Sequence, residues 1–99
     1  MGLPAGFDAV LHPPTRLQIA AVLANVDTAE FARLRSLTAV SDSVLSKHLS
    51  ALADADYVAL RKATVDGRQR TWASLTGAGR TAFKRHVAAL EALVAAARD

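Results

Sequence analysis

Four side chains in one short stretch share a chemistry. Ser43, Ser46, Lys47 and Ser50 recur at helical spacing, so a helix there carries three hydroxyls and one ammonium on one face. Hydroxyls both donate and accept, and a lysine reaches a guanine edge or a phosphate. Nothing bulky on that face prevents close approach, which suits the DNA major groove, a groove wide enough to admit a helix. Just before it, Asp42 can accept from a cytosine amino group or simply favour a helix N-terminus. Ser41 is the expected N-cap. A second concentration of chemistry follows at Arg61, Lys62, Arg68 and Arg70. From Met1 to Leu60 there are four bases against six acids, net −2, and from Arg61 to Asp99 eight against three, net +5. The formal +3 of the chain is therefore concentrated in its second part, as befits a polyanion-binding patch.

Other chemistries find little support. No Ser, His and Asp form a nucleophile arrangement, and no glycine loop could cradle a phosphate, so no enzyme activity and no cofactor are expected. The chain has no cysteine, which excludes disulfides and thiolate metal sites. His12, His48 and His86 lie in different segments, and Glu91 at i+5 from His86 shares no helix face with it, so no metal site is expected. His48, beside the apolar positions Val44 and Leu45, belongs to a core edge. No apolar run reaches the ~18 residues of a membrane span, and no basic region leads an apolar stretch at the N-terminus. Met1-Gly2 resembles a myristoylation start, but Gly6 stands where Ser or Thr is needed. The expected partner list has no membrane, and the default compartment is the cytoplasm.

The elements that must position these groups can be taken in order. The 99 residues fit one domain, and the apolar fraction of 52% hints at surface covered by a partner. Leu3, Phe7, Val10 and Leu11 suit a short amphipathic arm or helix, which His12-Pro13-Pro14 interrupts. Pro14 opens a helix to about Ala24 whose second half is apolar nearly all round, so a second element or a second subunit should cover it. Thr28 is expected to cap the next helix, with Glu30 in its first turn and Phe31, Leu34 and Leu37 buried. Thr38-Ala39-Val40 is a tight connection into the Ser41 helix, about 41–55, whose buried stripe is Val44, Leu45, Leu49 and Leu52. A hairpin over about 57–75 turns at Asp66-Gly67, pairing Val65 with Arg68, Ala63 with Arg70, Arg61 with Trp72, Leu60 with Ala73 and Val58 with Leu75. Its base is apolar through Val58, Leu60, Ala73 and Leu75, and its exposed tip carries Lys62, Arg68 and Arg70. Arg61 opposite Trp72 allows a cation–π contact, although packing alone is the favoured reading of Trp72. Thr76 caps a last helix, about 77–98, in which Phe83, Val87, Leu90, Val94 and Ala97 are spaced as a heptad seam. That helix is longer than so small a core needs, so its distal part, Leu90 to Ala97, is expected to pair with another chain. The competing expectation is that it folds back on Leu17 to Ala24.

This order resembles the short winged-helix transcriptional regulators related to the MarR and ArsR families, from about Val10 to Val94. Phe31, Leu34, Leu37-Thr38, the LSKHL of Leu45 to Leu49, Leu52, Tyr57-Val58, the GRQRTW of Gly67 to Trp72 and the LTGAGR of Leu75 to Arg80 carry it. One departure is Asp56, where such proteins commonly have glycine; aspartate tolerates the left-handed conformation better than most residues. The resemblance implies a mainly α fold with a small β-hairpin wing (α+β): a winged helix-turn-helix with an added C-terminal dimerisation helix. It further implies a homodimeric, sequence-specific double-stranded DNA-binding regulator, a repressor reading a pseudo-palindromic operator. The wing's Arg68 and Arg70 would then meet the DNA backbone or minor groove. The candidate DNA contacts are Ser41, Asp42, Ser43, Ser46, Lys47, Ser50, Arg61, Lys62, Arg68 and Arg70. The candidate dimer contacts are Phe7, Leu11, Phe83, Val87, Leu90 and Val94. A small effector, if there is one, would sit between the first and last helices or at the dimer interface. The alternative is a winged helix used as a protein-interaction module.

Overall fold

A computed structural model describes residues 2–98; Met1, with the myristoylation comparison made on it, and Asp99 lie outside the described residues. The chain runs α1 (Pro14–Leu23), β1 (Ala29–Glu30), α2 (Phe31–Thr38), α3 (Asp42–Asp54), β2 (Val58–Val65), β3 (Arg68–Leu75) and α4 (Gly77–Ala96). The strands make one antiparallel sheet in the order β1-β3-β2. Four helices with this small sheet are the expected winged-helix α+β arrangement. Among the described residues no helix is long and apolar enough to cross a membrane.

The hairpin follows its turn chemistry. Asp66 and Gly67 have φ of 50° and 77°, the positive pair a type I′ turn requires, and the register between β2 and β3 matches every expected pair. Before α2 the structure departs from expectation. Thr28 does not cap the helix: its hydroxyl donates to the carbonyl of Ala73 at 3.2 Å, and Ala29–Glu30 add a third strand along β3. Glu30 is the N-cap residue rather than part of the first turn, and its side chain makes no cap bond. Two residues of strand carry no periodicity that a sequence pattern could reveal.

The core gathers Leu11, Ile19, Leu23, Leu34, Leu45, Leu49, Leu52, Val58 and Leu75. Each fully buried leucine contributes roughly 1.5–3 kcal/mol by leaving water. α1 touches α2, α3, β3 and α4, so the elements packed on its apolar residues belong to the same chain. Three residues expected in the core are not there: Leu37 (38% exposed), Val44 (39%) and Leu60 (42%). The stripe on α2 is narrower than its apolar residues suggest, with Leu34 alone fully buried.

The end of α3 is locked to the start of α4. Asp56 takes φ of 64°, and the N–H groups of Asp56 and Tyr57 donate to the carbonyls of Ala53 and Leu52, both at 2.9 Å. This is a Schellman cap with aspartate in the left-handed position where glycine is usual. The N–H of Thr76 then donates to the carbonyl of Tyr57 at 3.0 Å, and its hydroxyl to the carbonyl of Asp56 at 2.6 Å. The same hydroxyl caps α4 by accepting from the N–H of Gly79 at 2.9 Å. Gly79 lies against the Tyr57 carbonyl so closely that a Cβ would collide with it.

The N-terminal arm forms turns rather than a helix, reversing at Gly6, whose φ is 91°. Asp8 anchors it. Its carboxylate accepts from the Tyr57 hydroxyl and from the N–H groups of Val10 and Leu11, at 2.9 and 3.3 Å, and its own N–H donates to Nδ1 of His86 at 2.9 Å. The bond to Asp8 pushes the Tyr57 phenol above its usual pKa, with burial adding to the effect. His86 is fully buried, with Phe7 and His12 packed on its ring at centroid distances of 5.0 and 5.4 Å. Burial pushes its pKa down, His12 adds to that, and Asp8 opposes it. Two histidines assigned by sequence to separate segments thus meet in space. Among the described residues, no three His, Asp or Glu side chains cluster as a metal site would need.

Candidate nucleic-acid interface

The Ser41 cap sets α3. Its hydroxyl accepts from the N–H of Val44 at 3.2 Å and lies 3.3 Å from Oγ of Ser43. Burial of Leu45, Leu49 and Leu52 then fixes the helix's rotation, which turns Ser43, Ser46, Lys47 and Ser50 outward. All four are exposed. His48 is half-buried, as a core-edge residue should be. Asp42 is less free than its sequence position suggests. Its carboxylate holds the guanidinium of Arg35, from the last turn of α2, at 2.9 Å. Arg35 was not singled out by the sequence reading; a separation of seven residues across a helix break carries no periodic signal. The pair is well exposed, so its net contribution to stability is small.

The wing's four cations do not form one patch. Strand alternation and the observed register put Arg61, Arg68 and Arg70 with Trp72 on one face of the ribbon. Lys62 stands on the other face with Leu60 and Thr71. The Arg61 guanidinium lies over the Trp72 ring, 4.6 Å from its centroid, so the cation–π reading holds and the packing-only reading does not. Arg70 was expected on the free tip but reaches back to Glu30 of β1, with N and O 3.5 Å apart. Lys62 and Arg68 make no ion pair among the described residues. On the side of Lys62, the wing and α3 enclose a cleft of about 220 Å³ lined by Phe31, Ser46, Leu49, Ser50, Leu60, Lys62 and Thr71.

The candidate dimer residues separate as clearly. Leu11 is 0% exposed in the core of its own subunit and so offers no surface to a partner; that expectation is corrected. Phe7 is half-buried between His12, at 4.9 Å, and His86. On α4 the core-facing positions are Gly79, His86 and Ala89. The neighbouring stripe of Phe83, Val87 and Leu90 is half-buried, and Val94 is 56% exposed. Ala97 falls on the C-cap, just past the end of the helix. Leu90, Glu91, Val94, Ala95 and Arg98 line a shallow groove there. The molecule measures 58 × 25 × 21 Å.

Comparison with known proteins places this geometry. The family model described as a winged helix DNA-binding domain matches residues 15–94. An uncharacterised protein of Methanocaldococcus jannaschii is 30% identical over 78 residues, 79% of this chain and 85% of that one. A solved transcriptional regulator homologue from Pyrococcus horikoshii superposes with a TM-score of 0.82 at 26% identity, covering 88% of this chain and 86% of the other. AbsC, a MarR family transcriptional regulator from Streptomyces coelicolor, superposes at 0.62 with 26% identity, over 73% of this chain and 52% of its own.

Proposed function

The chain belongs to the family of winged helix DNA-binding domains, and from that premise we propose that it regulates transcription as a homodimer, repressing by occupying a pseudo-palindromic operator. One observation carries this reading. A capped, core-anchored helix presents short hydroxyls, Lys47 and the exposed Val44 outward, beside a hairpin whose Lys62 and Arg68 are unpaired among the described residues. In this reading α3 enters the major groove, Ser43 and Lys47 face base edges, and Arg68 at the tip of the wing meets the backbone or minor groove. The exposed Val44 offers a thymine its methyl groups. Ser41 and Asp42 act through the helix they start, one as cap and the other as anchor for Arg35. Arg61 and Arg70, engaged by Trp72 and Glu30, shape the wing rather than bind first.

Dimerisation through the α4 stripe of Phe83, Val87, Leu90 and Val94, with the adjoining Phe7, would place two α3 helices for half-sites about 34–36 Å apart. No catalytic role is assigned. The compartment that goes with this reading is the cytoplasm.

Selection of bound duplexes from a random library, followed by a salt titration on the winner, tests the reading. A two-fold-symmetric site is expected, with affinity falling steeply as salt rises. Lys47→Ala should weaken binding mainly at one base pair of each half-site, by about 5- to 100-fold for a lost base contact. Arg68→Ala should weaken it uniformly across sequences and flatten the salt dependence. Failure to enrich any sequence would sink the regulator and favour a protein partner for the α4 stripe.

A further inference from the structure

The four wing cations read as one basic patch along the sequence, yet the ribbon's register assigns them to opposite faces. Lys62 alone points to the side of α3. It meets Ser46, Ser50 and Thr71 around the cleft, whose remaining lining is apolar: Phe31, Leu49 and Leu60. At about 220 Å³ the cleft is far larger than the ~10–15 Å³ that seating a single water needs. Three hydroxyls and one ammonium, with no carboxylate in the lining, form a donor-rich, positively charged rim. Leu60, 42% exposed, is a large apolar side chain left in water beside that rim. Ser46 and Ser50 sit on the wing side of the exposed face of α3, whereas Ser43 and Lys47 occupy its middle.

We infer that this cleft seats one backbone phosphodiester of the bound duplex: Lys62, Ser46, Ser50 and Thr71 hold the phosphate oxygens, and Leu60 packs on the adjoining deoxyribose. The inference rests on the DNA-binding reading above and gives a role to two hydroxyls of α3 that it left unassigned. Ser46 and Ser50 then fix the depth of α3 in the groove without reading bases, since contacts to phosphate set register and orientation and carry no sequence information. The occupant follows from the cleft's chemistry and place. A flexible anion has no use for the apolar floor, whereas a sugar-phosphate unit matches both parts. The strand that flanks a groove entered by α3 also runs between that helix and the wing.

The test uses the duplex that the full chain selects, with each phosphate replaced in turn by an uncharged methylphosphonate, against wild type, Lys62→Met and Thr71→Val. Both positions are partly or fully exposed, so folding is checked simply by thermal melting. Lys62→Met should lower affinity about tenfold at low salt and reduce the slope of log K against log salt by about 0.9, one phosphate's share. One phosphate per half-site that is sensitive in wild type should become insensitive in Lys62→Met, and the same phosphate should lose part of its effect in Thr71→Val. Base preferences selected by the two variants should match wild type. A selected duplex whose slope and phosphate sensitivities are unchanged by Lys62→Met overturns the cleft and leaves the DNA-binding reading standing. No selected duplex at all overturns both. Competition by millimolar inorganic phosphate that vanishes in Lys62→Met would assign the cleft to a free anion and overturn the phosphodiester.

Discussion

Three non-glycine residues among those described, Ala39, Asp56 and Asp66, take a positive φ, and the first two stand at helix ends. Ala39, the C-cap of α2, has φ of 56°, and Asp56, after α3, has φ of 64°. An L-residue in the left-handed region costs about 1–2 kcal/mol. Glycine would relieve that, while its freer unfolded chain takes back about 0.4–1 kcal/mol. Ala39→Gly should therefore stabilise the protein by up to about 1.6 kcal/mol, read as a higher urea midpoint at unchanged slope. Asp56→Val should do the reverse, because a β-branched side chain resists positive φ. The aspartate was legible in the sequence as an odd occupant of a glycine position. Ala39 was not, since nothing about an alanine announces a positive φ. Val44 belongs here too: Val44→Ala should leave stability within about 0.5 kcal/mol, as expected of an exposed position. If stability falls by 2 kcal/mol or more, the side chain is buried after all and has no role at the groove.

At the scale of elements, the caps and the junction carry the geometry. Ser41→Ala should cost roughly 1 kcal/mol through the lost α3 cap. Gly79→Ala should cost more, because the new Cβ would overlap the Tyr57 carbonyl and push α4 off the end of α3. A denaturant series on both, in which Gly79→Ala melted like wild type, would show that the contact between the two helix ends is looser than described. Elements with local chemistry were readable beforehand. The hairpin register follows from Asp66-Gly67, the α3 boundaries from Ser41, and the α4 start from Thr76, because each is decided within a few residues. What could not be read depends on partners distant in the chain. β1 exists only because β3 lies beside it, and Leu37, Val44 and Leu60 are exposed because nothing covers them. Periodicity identifies an apolar face without saying what covers it. The same limit merged the wing's cations into one patch: spacing reveals that they cluster, but only the fold shows Arg61 on Trp72 and Arg70 on Glu30.

At the scale of the molecule, His86 ties folding to pH. Its folded-state pKa lies below the ordinary histidine value of about 6.5, so the unfolded chain takes up a proton first as the pH falls. This contribution to stability is complete above about 6.5 and declines below it, until the pH reaches the depressed folded value. Protonation would also put an N–H on Nδ1, where the Asp8 N–H now donates. Urea midpoints measured from pH 5 to 8 should fall on the acid side in wild type and fall less in His86→Leu. Equal slopes in the two proteins would show that other groups are responsible. For the proposed dimer, Val94→Glu should shift sedimentation toward monomer without lowering thermal stability at low protein concentration. The native value of 56% exposure leaves room for the charge within one subunit.

The lock between α3 and α4 has a consequence for operator spacing. Thr76 and Gly79 fasten the reading helix to one end of a rod of 20 residues, about 30 Å long. If two copies are joined near the far end of that rod, the rod is a lever with the joint as its fulcrum. A swing of about 7° there carries the reading helix roughly 3.6 Å, close to the 3.4 Å step from one base pair to the next. A few degrees at the joint would be enough to put the two heads out of phase with their half-sites, with no bond inside either subunit broken.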